Sequence, residues 1–304
     1  MECTVRFKLT SELTPEEWNA YIHAFNEVFK KDYTIEQLKF KYTSSCWGYS
    51  MHGLVYVNDL LVGGQTFMVQ KVNYKGREIL LANGCDSFVL REYRDDIEAM
   101  AKTRKPIYEY MKAHGVSGTF GSTYKLFVKY LTHFLGVKVI GTPTNWVLPV
   151  SYVPGKLGFV VNPLLRVVVK MLLSFSKLSR RKLYSGDELF TPVGYYTPAA
   201  YYTTFKKLKS GRKCNYYISA KNHLVLIQDD FETVSDFIGG VMELLADCKY
   251  RVRAVEYRTG CRLPFPFFAY KKDEIMNGNL WDESISMADF CDFTKWRYKR
   301  GYFD

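Results

Sequence analysis

Residues 78–90 read Glu78-Ile-Leu-Leu-Ala-Asn-Gly-Cys-Asp-Ser-Phe-Val-Leu90, and this apolar run decides the fold. Its hydrophobic side chains are continuous rather than alternating, which is typical of a strand buried on both faces. A charged segment follows, and then a helical pattern that ends at His114-Gly115, a strand at 116–120, a helix at 123–135 and a strand at 137–141. This order predicts an α/β protein with a mixed sheet.

The residues before this run predict two helices and an antiparallel meander. Thr14-Pro15-Glu16-Glu17 has the N-cap, the proline and the acid of a capping box, so a helix is expected from there to about residue 30, and Thr34 begins a second one. From residue 53 the hydrophobic period changes to two. Asn58-Asp59 is a hairpin signal, and the segment 73–76 predicts the next reversal into the central strand.

Five motifs support a family resemblance. Val89-x-x-Glu92-Tyr93-Arg94 ends the central strand, and Leu135-Gly136-Val137 follows the last helix of the segment. Upstream lie Phe25-Asn-Glu-Val-Phe-Lys-Lys31, then Phe40-Lys41-Tyr42 and Gly48-Tyr49-Ser50. Over residues 1 to about 150 the chain resembles the GNAT superfamily of acyl-CoA N-acyltransferases. The upstream motifs are similar to a bacterial branch that often occurs with surface-glycan genes and is thought to acylate amino sugars.

The resemblance implies a sheet that parts after its fourth strand and admits an acyl-CoA such as acetyl-CoA into the gap. It also implies transfer of the acyl group to a primary amine, on an amino sugar or a similar glycan precursor. Backbone amides along a strand edge can hold the pantetheine arm, and a helix N-terminus can hold the pyrophosphate. We expect Phe88, Val89 and Leu90 to line that edge.

The phosphate loop departs from the family pattern of Arg/Gln-x-x-Gly-x-Gly/Ala. Arg94 and Ala99 fit it, but Ile97 replaces a glycine and three acids lie where phosphate would bind. Pro106 also falls inside the expected helix, so the helix could begin late. Side chains would then replace the backbone contacts, and the candidates are Lys102, Arg104 and Lys105. The alternative is that the acids are ordinary first-turn residues and the site is degenerate.

Acyl transfer to an amine requires a base for the ammonium proton and an acid for the departing thiolate. Asp86 is the candidate base because it interrupts a buried apolar strand, where burial raises a carboxyl pKa. A capping or hairpin-bonding role for Asp86 is the alternative. The family often places the acid as a tyrosine at the position of Thr132, and the substitutes on this helix are Tyr124 and Tyr130, which are otherwise packing residues.

The remaining chain predicts a linker and a smaller domain. Residues 1–150 form the GNAT-like domain, 151–186 a linker and 187–304 a second α/β domain. The linker contains a basic amphipathic helix over 163–182 that bridges the domains or contacts an anionic membrane peripherally. Hairpin, helix and strand patterns between 214 and 257 repeat part of the first domain, which predicts a second, degenerate GNAT-like unit.

Composition narrows the function further. The chain has 304 residues and a net charge of +11, which suits an anionic partner such as CoA. No nucleic-acid motif accompanies the basic clusters, so we expect no nucleic acid partner. Seven scattered cysteines and isolated histidines predict no metal site. The N-terminus has no apolar leader and no uninterrupted apolar stretch approaches the length of a membrane span, which predicts a cytoplasmic protein.

Two other functions fit the same sequence. One is a non-catalytic GNAT-like binding protein whose CoA site has decayed. The other is a tRNA-dependent aminoacyl or peptidyl transferase with tandem GNAT domains, which would also account for the positive charge.

Overall fold

The computed structural model describes residues 3–43, 48–94, 106–151, 153, 155–194, 203–270 and 274–298. Its helices are α1 (Pro15–Phe29), α2 (Ile35–Thr43), α3 (106–113), α4 (Lys125–Leu135), α5 (Gly155–Ser176), α6 (Val234–Asp247) and α7 (Met287–Phe290), with 3₁₀ turns at Thr10–Glu12, Arg91–Tyr93 and Phe293–Lys295. Its strands are β1 (Cys3–Leu9), β2 (Ser50–Val57), β3 (Leu60–Tyr74), β4 (Arg77–Val89), β5 (Val116–Tyr124), β6 (Lys138–Gly141), β7 (Thr144–Pro149), β8 (Phe190–Pro192), β9 (Thr204–Lys207), β10 (Lys213–Ile218), β11 (His223–Asp229), β12 (Ala254–Thr259), β13 (Phe268–Tyr270) and β14 (Glu274–Leu280).

The first sheet has the order β1-β2-β3-β4-β5-β14-β6, and β8 also pairs with β3. Strands β1 to β4 form the expected antiparallel meander, and the β2–β3 turn has left-handed backbone at both Asn58 and Asp59. Helix α1 begins at the predicted capping box, where Thr14 accepts from the Glu17 amide. The mixed α/β architecture is as predicted.

The second sheet has the order β13-β7-β12-β11-β10-β9. Strands β11 and β12 are parallel and are connected through α6, which repeats the parallel arrangement of β4 and β5 around α3. Helices α5 and α6 cover this sheet with a core that includes Leu173, Phe237 and Leu244. The second unit therefore contains the hairpin, helix and strand that its sequence predicts.

The two sheets exchange strands. Strand β7 follows β6 in the chain but pairs with β12 and β13 in the second sheet, whereas β14 inserts between β5 and β6 in the first. The sheets therefore do not follow the predicted boundaries at 150 and 187. The division of the chain into these domains stays a prediction.

Helix α5 differs from the expectation in its start. It begins at Gly155, so Pro163 lies inside the helix rather than at its first turn. The Asn162 side chain instead bonds both backbone groups of Val153, at 3.0 and 2.9 Å, and ties the helix to the preceding chain. The helical segment Leu157–Ser176, which Arg166 and Lys170 interrupt, is long and apolar enough by composition to cross a membrane.

Candidate active site

Strands β4 and β5 part at one end. Their parallel pairing runs from Leu80 and Val116 to Asn83 and Phe120, but β4 continues to Val89 and β5 to Tyr124. Beyond Phe120, β5 keeps its other edge paired with β14 as far as Tyr124. The first sheet thus opens into a V-shaped gap, as the family resemblance implies.

A β-bulge in β4 lies beside the gap. The register of the β3–β4 pair passes from Gly64 opposite Phe88 to Thr66 opposite Cys85, so Asp86 and Ser87 together face the single residue Gln65. Asp86 has a φ of 48°, in the left-handed region that aspartate and asparagine tolerate better than most residues. Such bulges bend a strand and redirect its side chains.

A cavity of about 320 Å³ occupies the gap, and its lining comes from β3, β4, β5, α3, α4 and β14. This volume falls within the range of small-molecule sites. Phe67, Phe120 and Leu131 are among its apolar lining residues. The polar lining includes Asp86, Ser87, Ser122, Thr123, Tyr108 and Asn277.

Asp86 has two partners from α2. Lys41 Nζ forms an ion pair with its carboxylate, and Tyr42 Oη donates a hydrogen bond to the same oxygen at 3.0 Å. The side chain of Asp86 is 15% exposed. The candidate base therefore lies at the cavity as a partly shielded carboxylate that a cation holds in place.

A buried hydrogen-bond chain continues from Tyr42. Its hydroxyl lies 2.9 Å from that of Tyr21, which lies 2.8 Å from Thr66 Oγ1, and Thr66 is 3.0 Å from His52 Nδ1. Burial raises the pKa of Tyr42 well above its ordinary value, as do the nearby Tyr21 and Asp86. Both tyrosines remain neutral donors or acceptors near neutral pH, so this chain orients Asp86 without adding charge.

Cys85 also lines the cavity, but it is unsuited to nucleophilic catalysis. Burial raises the pKa of its thiol strongly, and the neighbouring Asp86 carboxylate raises it further. The thiolate is the reactive form of cysteine. The site therefore fits direct attack by an amine better than an acyl-cysteine intermediate.

The two predicted acids lie away from this cavity lining. Tyr124 ends β5 and is 68% exposed, and Tyr130 stacks on Phe127 with ring centroids 5.6 Å apart. Phe127 lines the cavity, whereas neither tyrosine belongs to the lining. Tyr108 of α3 does line the cavity, and its ring also packs on that of Trp281. A catalytic role for Tyr124 or Tyr130 stays a prediction.

The structure describes all three residues of the predicted CoA-binding strand end, Phe88, Val89 and Leu90. The Leu90 amide donates to Val62 of β3 at 2.8 Å, so it is occupied within the sheet. The backbone N–H and C=O groups of Phe88, two residues earlier, also point toward β3. Its side chain is buried against α1. Val89 faces the gap, and its carbonyl accepts from Arg94 Nε at 3.0 Å.

The rest of the predicted phosphate site lies outside the described residues. This applies to Ala99, Lys102, Arg104 and Lys105. Pro106 is the first described residue of α3, so the question of where this helix begins also stays open. Among the residues that the structure describes, no group of three or more His, Cys, Asp and Glu side chains could hold a metal ion.

Sequence reasoning missed several residues that line the cavity or contact Asp86. Lys41 and Tyr42 were noted only as part of a family motif, and the structure shows that both contact Asp86. Gln65 faces the bulge, a feature without a sequence signal. Asn277 comes from β14, and its place beside β5 depends on the strand exchange. A pattern search within residues 1–150 could not have found it.

The structure is similar to several solved structures described as N-acyltransferases or N-acetyltransferases. The chain is similar to a probable N-acyltransferase from Enterococcus faecalis V583, with 13% identity over 92% of this chain and 73% of that one, and a TM-score of 0.57. It is also similar to GCN5-related N-acetyltransferases from Kribbella flavida (11% identity, 92% and 72% covered, TM-score 0.56) and Anabaena variabilis ATCC 29413 (12% identity, 90% and 73% covered, TM-score 0.51). No family model and no curated protein matches the sequence.

At these identities the likeness establishes the fold. The chain has the GNAT fold, and the matches cover at least 90% of its length, so they include the second sheet as well as the first. The resemblance drawn from the motifs near residues 89–94 and 135–137 is therefore confirmed as a fold assignment. The likeness does not extend to the surface-glycan branch.

Proposed function

We propose that this protein is an N-acyltransferase that moves an acyl group from acyl-CoA to a primary amine. The observation that carries the proposal is the gap between β4 and β5, whose cavity brings the predicted base Asp86 beside the parted strands. Beyond Asn83 the β4 edge is not paired with β5, and such an edge can bind the amide-rich arm of CoA. The fold of the similar acyltransferases supports the same activity.

The reaction would proceed by direct attack within a ternary complex. The amine nitrogen bonds to the thioester carbonyl carbon, the carbon–sulfur bond breaks, and CoA leaves as a thiolate. Asp86 takes the proton that the amine loses, and Lys41 holds the carboxylate at the cavity. Tyr108 lines the same cavity and is our candidate for donating the proton to the thiolate.

We propose an amino sugar or a similar glycan precursor as the acceptor. The polar lining of the cavity supports this choice, because hydroxyl and amide side chains can bond the several oxygens of a sugar. The lining residues with such side chains are Gln65, Ser87, Ser122, Thr123 and Asn277. A cytoplasmic location would give the enzyme access to acetyl-CoA.

Ligand-dependent thermal stability separates this proposal from its alternatives. Acetyl-CoA should raise the melting temperature, since any ligand that binds only the folded state stabilises it by mass action. Release of free CoA should then depend on an added amino sugar, with the matching N-acetylated sugar as the control acceptor. Stabilisation by CoA without turnover on any amine would support a binding protein, and stabilisation by tRNA alone would support a tRNA-dependent transferase.

A further inference from the structure

One face of helix α5 is apolar and exposed along its whole length. Six side chains recur at intervals of three or four residues, between 49% and 69% exposed, and we call them the α5 stripe: Leu157, Val160, Leu164, Val168, Met171 and Phe175. Phe159, Val167 and Leu178 extend the exposed apolar surface. Soluble proteins rarely leave so large a continuous apolar patch uncovered unless it binds something.

The opposite face of α5 is packed on the protein. Val169 and Leu173 are buried in the core of the second sheet. Arg166 donates to Ser151 Oγ at 2.9 Å, and Ser176 Oγ donates to the Phe265 carbonyl at 2.7 Å. These contacts hold the middle and the end of the helix against the body. The helix is therefore held against the protein through this face, and the stripe faces solvent.

The charge around the stripe is of one sign. Residues 110–186 contain eleven lysines and arginines and no aspartate or glutamate, so this segment accounts for the whole net charge of +11. Five of the eleven lie on or just after the second half of the helix, and all five are exposed: Lys170, Lys177, Arg180, Arg181 and Lys182. An apolar surface bordered by cations is complementary to an anionic lipid headgroup layer.

We propose that the α5 stripe docks on the surface of an anionic lipid bilayer, with the helix lying in the plane of the interface. The apolar side chains enter the headgroup boundary, and the basic residues contact lipid phosphates. A parallel two-fold contact with a second copy would place these cations against each other, and the test below separates self-association of any geometry from lipid binding. The proposal does not depend on the acyl-transfer reaction.

Vesicle flotation with the full chain tests the proposal. The protein should float with vesicles of phosphatidylcholine and phosphatidylglycerol in equal parts, but not with phosphatidylcholine alone. The combined change Leu164→Gln, Val168→Gln and Met171→Gln should weaken binding roughly a hundredfold or more, because each side chain loses its burial. Gln is a good helix former, so the fold should persist.

A matched control uses exposed apolar residues from other elements. The combined change Leu60→Gln, Val139→Gln and Ile218→Gln removes a similar amount of apolar surface from strands and should leave vesicle binding unchanged. A third variant, Lys170→Gln, Arg180→Gln and Lys182→Gln, should bind roughly a hundredfold more weakly, since each basic residue near the surface contributes about a factor of five.

Four results would overturn the proposal. Three of them are the absence of flotation with anionic vesicles, equal binding to neutral and anionic vesicles, and equal losses for the stripe and control variants. The fourth result would come from sedimentation velocity. A wild type that is dimeric and binds no vesicles, together with a monomeric stripe variant, would assign the face to self-association. Melting temperatures and far-UV circular dichroism of each variant establish that it is folded.

Discussion

Asp86 combines two features that are unusual for a strand residue. Its backbone is left-handed within a bulge, and its carboxylate faces a cavity while paired with Lys41. Its interruption of an apolar run was visible in the sequence. The pairing with Lys41 was not, since the two residues lie 45 positions apart and no spacing rule links them.

Asp86→Asn should lower kcat by roughly a hundredfold or more while leaving acyl-CoA affinity nearly unchanged, because a general base acts on the acceptor proton. Asparagine tolerates the left-handed backbone, so the bulge should survive. Steady-state kinetics would measure the loss of kcat, and calorimetry would measure acetyl-CoA affinity separately.

Asp59→Asn is a matched control for this change. Asp59 also has a positive φ, of 63°, but its side chain is 93% exposed and pairs with Arg6 far from the cavity lining. Its variant should keep full activity. Equal losses of turnover and acyl-CoA affinity in Asp86→Asn, or loss of folding alone, would assign Asp86 a structural role.

His52 is fully buried, and the burial lowers its pKa to about 3 from the ordinary 6.5. Its ring nitrogens face Thr10 and Thr66, and its ring packs against Trp18, Tyr21 and Tyr42. Between pH 3 and 6.5 the unfolded chain therefore binds a proton at this site that the folded chain does not. Stability should fall as the pH drops through that window.

Urea unfolding at pH 7 and pH 4 would measure this effect. The wild type should lose about 3 kcal/mol more than His52→Gln between these two pH values, because the variant lacks the titrating group. The carboxylates titrate in both proteins and cancel in the comparison. The same pH dependence in both proteins would contradict the assignment of a neutral, buried His52.

At the level of elements, local patterns predicted the first sheet well. The capping box of α1 and the hairpin at Asn58-Asp59 are short-range signals, and both formed where expected. The second hairpin, at β10 and β11, and the strand β12 after α6 were also anticipated, although the parallel pairing of β12 was not. These features depend on residues close together in sequence.

The strand exchange was not predictable in the same way. Strand β14 pairs with β5, which lies about 150 residues earlier, and its short apolar and polar sequence does not specify that partner. Strand β7 reads as a continuation of the first domain but pairs in the second sheet. Pairing over such distances is decided by tertiary packing, and the site residue Asn277 was missed for this reason.

An ion pair between described residues links the two sheets. Arg258 of β12 and Glu274 of β14 lie 2.7 Å apart, nitrogen to oxygen, and their side chains are 7% and 21% exposed. Arg258→Gln should destabilise the fold by about 3 kcal/mol, because it leaves a shielded carboxylate without its cation. The double variant with Glu274→Gln should lose less than the sum of the single changes.

A double-mutant cycle by urea denaturation would measure this coupling, which we expect to be about 1 to 3 kcal/mol. The exposed pair Arg6–Asp59 is the control, at 49% and 93% exposed, and should show no measurable coupling. A coupling between Arg258 and Glu274 as small as that of the control pair would contradict a role in joining the two sheets.

At the level of the whole molecule, the two sheets exchange strands and the positive charge is concentrated in one segment. The gap in the first sheet is bounded by β4 and β5. Strand β14, near the end of the described chain, pairs with the other edge of β5. The gap should therefore require both units to be folded. The proposed function then depends on whether this gap admits acyl-CoA.

Calorimetric titration of acetyl-CoA into the wild type and into Ser87→Trp tests this point most directly. Ser87 is exposed at the bulge and lines the cavity, so an indole there should fill the gap with little disturbance of the core. We expect saturable binding to the wild type and none to the variant, with similar melting temperatures in the absence of ligand. No binding to the wild type at millimolar acetyl-CoA, or equal binding to both proteins, would contradict the account.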